Sequence, residues 1–178
     1  MKSSRQRTHS SDRVGARITD HEGLEQFFSG IASAYFRSEI LFLCIGTDKS
    51  TGDAWAPWVG SRLTELSDFE VIGTLEHPCD ADNLQAYMED IHSEKKLIVL
   101  DAALGKVDTV GMYSVAEGPL VPGQSVGGKF KPIGHYSIAG IVNVFGPRPY
   151  STLQMTSLYK VKGMVEEVVH AISQAFKL

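Results

Sequence analysis

Ile40-Leu-Phe-Leu-Cys-Ile45 is the stretch on which the fold turns. Six apolar residues without periodicity, stopped by Gly46, are too few for a helix and leave no face for water. That pattern predicts a strand buried on both sides, as in parallel sheets covered by helices. A polar connection follows, Gly46-Thr-Asp-Lys-Ser-Thr-Gly-Asp53, and leads into a helical stripe of Trp55, Trp58, Val59, Leu63 and Leu66. Leu97-Ile-Val-Leu100 repeats the buried-strand pattern and is expected to end at Asp101.

Outward from these runs, helix and strand alternate. Thr19 and Glu22 have the spacing of a capping box ahead of a helix carrying Leu24, Phe27, Phe28, Ile31 and Tyr35. Glu70 to Leu75 reads as a strand, and Leu84, Tyr87, Met88 and Ile91 mark a further helix. Thr109 to Val115 reads as a strand, and Ile138 to Phe145 as strand, helix or both. Leu158, Val161, Val165, Val168, Val169, Ile172 and Phe176 line one face of a final helix. The fold class this implies is α/β, a three-layer α/β/α sandwich around a mostly parallel sheet. Residues 1–18, polar and poor in large apolar side chains, are expected to be a disordered tail, and 19–178 one domain. Glu117 to Gly134, rich in Gly and Pro, is longer than ordinary connections and reads as a lid, a binding loop or a surface excursion.

Composition narrows the function classes. The chain has 178 residues, with 17 Lys+Arg against 21 Asp+Glu, a net charge of −4. That balance argues against direct nucleic-acid binding. The Ile40–Ile45 run is far short of the ~20 residues of a membrane span. Two cysteines build no disulfide framework, and a cytoplasmic protein is the expectation.

Parallel sheets bind ligands beyond the carboxyl ends of their strands. Two expected strands deliver carboxylates there, Asp53 after the first and Asp101 at the end of the second. Such a pair can divide general acid and base work, or bind a metal ion through its oxygens. The plainer alternatives are that Asp53 is a helix N-cap and Asp101 a salt-bridged residue. His135, just after the Gly/Pro-rich segment, is either a third site group, acting as metal ligand or acid–base partner, or an ordinary hydrogen-bonded histidine. Lys49-Ser50-Thr51 is not a phosphate loop, because Asp48 stands where glycine is required. His77 and Cys79 lack the second pair of a structural zinc site. Cys44 reads as a small core residue.

Phe42-Leu-Cys-Ile-Gly-Thr-Asp-Lys-Ser-Thr-Gly-Asp-Ala-Trp-Ala-Pro57 resembles the YyaC family of sporulation proteins of endospore-forming bacteria. Ile98-Val-Leu-Asp-Ala-Ala-Leu104, Pro122-Gly-Gln-Ser-Val-Gly127 and Ser137-Ile-Ala-Gly-Ile-Val-Asn143 extend the resemblance from about Ile40 to the C-terminus. That family is similar to the spore germination protease and, more distantly, to hydrogenase maturation proteases. The resemblance implies a phosphorylase/hydrolase-like, peptidase-like domain. The protease's Pro-Asp-Ala-Leu-Gly-Pro stretch is matched by Gly52-Asp53-Ala54-Trp55-Ala56-Pro57, and its Val-Asp-Ala-Leu stretch by Leu100-Asp101-Ala102-Ala103. Asp53 and Asp101 are thereby implied as the catalytic pair of an amide hydrolase.

On that reading Lys49, Thr51, Ser125 and His135 are expected to position substrate. No cofactor is expected, the alternative being a divalent ion at Asp53, Asp101 and His135. The expected partner is a protein or peptide, small acid-soluble spore proteins among them, met in the cytoplasm of the forespore or sporulating cell. Trp55 and Ala56, bulkier than the residues they replace, are expected to reshape the cleft beside Asp53. A non-catalytic protein that binds a partner on the same fold, through Trp55, Trp58 or the loop, is the other reading.

Overall fold

The computed structural model describes residues 15–91, 94–123 and 130–178. Most of the expected tail, and Ser125, lie outside the described residues. In chain order the elements are strand β1 (Arg17–Thr19), helix α1 (His21–Ala34), β2 (Ile40–Ile45), α2 (Trp55–Leu66), β3 (Glu70–Ile72), α3 (Leu84–Asp90), β4 (Lys96–Gly105), β5 (Tyr113–Glu117), β6 (Tyr136–Val144), α4 (Pro149–Gln154) and α5 (Leu158–Phe176). They form one six-stranded sheet in the order β1-β5-β6-β4-β2-β3. The strands β3, β2, β4 and β6 run parallel, and β5 and β1 add antiparallel at one side.

The period-two alternation of side chains divides the core. Ile40, Phe42 and Cys44 of β2 and Ile98, Leu100, Ala102 and Leu104 of β4 join α1, α2 and α5 in the larger cluster. Leu41, Leu43, Ile45, Leu97 and Val99 face the other way, toward α3, Leu120 and Ile133. The expected three-layer architecture is therefore present, with one thick helical layer and one thin one. Trp55, wholly buried, fits only because Gly140 of β6 has no side chain; a Cβ there would lie 2.7 Å from the indole Cε2.

Several expected boundaries move. Arg17 and Ile18, assigned to the tail, pair with Val115 and Ser114 of β5. Thr19 ends that strand, so it is Asp20 that caps α1, its carboxylate accepting from the Gly23 amide at 3.1 Å. β3 stops at Ile72. The strand expected from Thr109 starts only at Tyr113, after a tight turn at Val107–Thr109. Ile138 to Phe145 resolves as strand, part of β6. β4 does not end at Asp101 but runs to Gly105, because β6 goes on pairing with Ala102 and Ala103. The short helix α4 is an addition.

Strand order also locates a crevice. β2 passes through α2 to β3 on one side, while β4 lies on its other side and leads away toward β6. Connections diverge between β2 and β4, the switch point at which open α/β sheets bind ligands.

Candidate active site at the carboxyl ends of β2 and β4

β2 ends at Ile45, whose register partner is Asp101 of β4. The next residue, Gly46, is the hub of the site. Its φ of +151° suits glycine, and a Cβ on it would lie 2.0 Å from the Asp53 carbonyl oxygen, so the Asp53 backbone sits directly on it. On its other side the Gly46 amide donates to the Cys79 carbonyl at 2.9 Å. The charge of Asp101 is felt at Cys79, whose thiol is pushed up to about 12 by burial first and then by Asp80 and Asp101. The Asp53 backbone thus rests on Gly46, and Asp101 is level with the residue before that glycine, both at the switch-point edge of the sheet.

Their surroundings differ. Asp53 is half-buried and makes no ion pair among the described residues. Burial raises its carboxyl above the usual carboxylate range. The Ser50 side chain beside it works the other way, although its hydroxyl makes no hydrogen bond of full geometry. Asp53 is not the N-cap of α2, because Ala54 occupies that position and no side chain caps the helix. Asp101 projects from the α3-facing side of β4, and its Oδ2 accepts from the Gly123 amide at 2.9 Å. Gly123 belongs to the Gly/Pro-rich segment, whose base is closed by reciprocal backbone bonds between Leu120 and Ile133 at 2.9 and 2.8 Å.

His135 does not join this pair. Its amide donates to the Leu97 carbonyl at 2.9 Å, and the Leu97 amide donates to its Nδ1 at 3.0 Å. It is therefore level with Leu97, four residues before Asp101 and about 13 Å away along the strand. A metal set of Asp53, Asp101 and His135 does not form, because His135 is bonded at the start of β4, away from Asp101. No other group of three His, Cys, Asp or Glu ligands occurs among the described residues. Lys49 is exposed and Thr51 half-buried, both on the connection that carries Asp53. The expected effect of Trp55 on the cleft is corrected by its position, since its ring stacks under the sheet against Tyr113, with centroids 6.2 Å apart. Trp55, fully buried, presents no surface to a partner, while Trp58 is half-buried and packs on the same core.

Sequence reasoning passed over a second contributor. Asn143, near the end of β6, donates from Nδ2 to the Thr152 carbonyl at 3.3 Å and to Thr156 Oγ1 at 3.2 Å. The Gly52 amide, beside Asp53, donates to the Leu153 carbonyl at 2.9 Å. Helix α4 is thereby bonded to β6 and to the Asp53 connection at once. The signal was the one that exposed Asp101, a polar residue closing an apolar strand.

The family described as "Protein of unknown function (DUF1256)" matches residues 16–171. The chain belongs to the DUF1256 family. A relative described as "Uncharacterized protein YyaC", from Bacillus subtilis (strain 168), is 41% identical over 139 residues, 75% of this chain and 68% of that protein. Two solved structures from Thermococcus kodakarensis are similar to this DUF1256 chain. The NiFe hydrogenase maturation protease HybD aligns with a TM-score of 0.51 at 14% identity, over 76% of this chain and 97% of its own. The NiFe hydrogenase maturation protease HycI, of strain KOD1, aligns with a TM-score of 0.54 at 18% identity, over 88% and 99%. At such identities the likeness is one of fold. No helix among the described residues is long and apolar enough to cross a membrane.

Proposed function

We propose that this DUF1256 chain is a peptide-bond hydrolase whose active groups are Asp53 and Asp101. The observation that carries the reading is a desolvated carboxyl on the connection that folds over Gly46 and an amide-bonded carboxylate level with Ile45, both at the sheet's switch point. Asp53, whose hold on its proton burial strengthens, is assigned as the general acid. Asp101, which receives an N–H donor, is the base. A water gives its proton to Asp101 and its oxygen bonds to the scissile carbonyl carbon. As the C–N bond breaks, the leaving nitrogen takes the Asp53 proton; transfer of the proton from Asp101 then restores the pair. Lys49 and Thr51 lie on the connection a substrate would cross. No step is routed through a metal, because the histidine of the suggested ligand set is elsewhere.

The fold likeness to proteases and the resemblance to the spore germination protease support this reading. They also suggest the substrate and setting, small acid-soluble spore proteins in the forespore or sporulating cell. The test incubates these proteins with wild type, Asp53→Asn and Asp101→Asn and follows fragments by mass spectrometry. Wild type is expected to cut and each variant to lose most of its activity. Identical fragment patterns for all three overturn the reading, and leave a non-catalytic, partner-binding protein on this fold.

A further inference from the structure

Two side-chain polar atoms among the described residues are buried and have no hydrogen-bond partner, the Ser50 hydroxyl and the Trp55 indole Nε1. The Trp55 ring lies wholly in the core, where its packing accounts for it. Ser50 is different. It is 7% exposed, sits on the connection that carries Asp53, and has no role in the hydrolysis set out above. Thr156, another buried hydroxyl residue, is satisfied by the Thr152 carbonyl and by Asn143. A buried hydroxyl left without a partner costs stability, and such groups are rare enough to call for a reason.

The local backbone says where this hydroxyl lies. The Ala54 amide donates to the Ser50 carbonyl at 2.9 Å, so residues 50–54 close one helical turn ahead of α2. Side chains three apart on such a turn are neighbours, and Ser50 and Asp53 are three apart. The turn is held from both sides. The Asp53 carbonyl lies against Gly46, and the Gly52 amide donates to the Leu153 carbonyl of α4 at 2.9 Å. A Cβ on Gly52 would lie 2.9 Å from that carbonyl oxygen and 3.1 Å from Thr156 Oγ1, so α4 is packed directly on the turn. Burial raises the Asp53 carboxyl and the Ser50 side chain lowers it, the sign of a hydroxyl that donates to the ionised form. The other titratable groups about the turn are Asp48 and Lys49 on the connection, both exposed, Asp101 on β4 and Cys79 across Gly46. Helix α2 carries Arg62 and Glu65, paired with each other, and α4 the exposed Tyr150.

We propose that Ser50 is a positioning residue for the hydrolysis, its hydroxyl reserved for the Asp53 carboxylate that forms when the leaving nitrogen takes the Asp53 proton. The inference deepens the hydrolase reading and rests on it. While Asp53 holds its proton, the Ser50 hydroxyl has no carboxylate to serve. Once the C–N bond breaks and the proton moves to nitrogen, the Ser50 O–H turns to donate to the new carboxylate, and its own proton stays on its oxygen throughout. When the proton from Asp101 restores the pair, the hydroxyl is released. A donor already buried beside the carboxyl, with no other bond to break, acts where charge develops. It also sets the pH above which the acid is lost, by countering part of what burial does.

The test titrates the Asp53 carboxyl itself, by NMR of the full chain carrying isotope-labelled aspartate carboxyls, with Asp53→Asn identifying the resonance. Ser50→Ala, smaller than the native side chain, should raise the Asp53 midpoint by about one pH unit. Ser50→Thr, which keeps the hydroxyl, should titrate as wild type does. A side chain that merely packs the turn gives the opposite sign, because a loosened turn admits water and lets the midpoint fall toward 3.8. Hydrolysis of a small acid-soluble spore protein is followed alongside. In Ser50→Ala, kcat should fall about tenfold with KM unchanged, and the pH at which activity declines should rise with the carboxyl midpoint. A midpoint in Ser50→Ala that stays put or falls overturns the proposal. So does a Thr variant that titrates like the Ala variant, or a kcat in Ser50→Ala equal to that of wild type. A raised midpoint in a protein without hydrolytic activity counts against the hydrolase reading alone.

Discussion

At the amino end of β4, His135 is fixed on Leu97 by two hydrogen bonds, its ring nitrogen already accepting from the backbone. At the carboxyl end of the same strand, Asp101 is level with the last residue of β2, and the Asp53 connection folds back over Gly46. Both ends carry titratable side chains, and both adjoin the Gly/Pro-rich segment. The difference lies in what strand geometry leaves for them to do. At the amino end a side chain can complete the ladder where a strand begins. At the carboxyl end the strands of a parallel sheet diverge at the switch point, where folds of this kind bind ligands. A histidine and an aspartate that adjoin the same segment can therefore have unrelated tasks.

The comparison breaks most visibly in activity. Asn at either Asp53 or Asp101 should lower hydrolysis by about 10²–10⁴-fold, the usual yield of general acid–base groups, whereas His135→Ala should leave it within about twofold. Fragment formation timed by mass spectrometry checks this, and a large loss in the His135 variant would erase the distinction between the two ends. Next in size is stability at the hub. Gly46→Ala forces a Cβ against the Asp53 carbonyl at a φ of +151° and should cost about 3 kcal/mol in urea unfolding. Gly163→Ala, in α5 where a Cβ meets nothing within 4 Å, should instead stabilise by about 0.5–1 kcal/mol. His135→Ala removes one acceptor at an exposed site and should cost about 1 kcal/mol.

The smallest effect is pH-dependent. Burial raises the Asp53 carboxyl, so the folded protein holds that proton more tightly than the unfolded chain. The stability it contributes is full below the unfolded value of 3.8 and is lost as pH rises through the folded value. Asp53→Asn, which cannot ionise, should therefore be the more stable protein at neutral pH, with its advantage gone below 3.8. Thermal melts at both ends of that window measure it. The same shift makes wild-type hydrolysis decline as pH rises through the Asp53 value, because the general acid is then lost.

Much of this architecture could be read from the chain because burial on both faces writes an unmistakable pattern. Ile40–Ile45 and Leu97–Leu100 have no room for polar residues, so the first one to interrupt each run marks where the strand meets the crevice. The extent of β4 was hidden because Ala102 and Ala103 carry too little hydrophobic signal to extend an apolar run. β1 is three residues long inside a polar stretch, and α4 is six residues beginning at Pro149; neither is long enough to show a period. The site was legible in its carboxylates, each following an apolar run, and illegible where register decides. Sequence adjacency put His135 next to a candidate loop, but only the pairing of Ile98 with Tyr136 reveals which end of the strand it serves. Trp55 misled for a related reason. Its position beside Asp53 in the chain says nothing of the helix face it occupies, which points into the core under Gly140.

The account depends most on Asp53 and Asp101 working as one unit. A double-mutant cycle on hydrolysis of a small acid-soluble spore protein, with Asp53→Asn, Asp101→Asn and the two combined, tests this directly. The prediction is that the combined variant is little worse than either single one, since removing one partner already disables the pair. Additive losses, or a single variant as active as wild type, would contradict it.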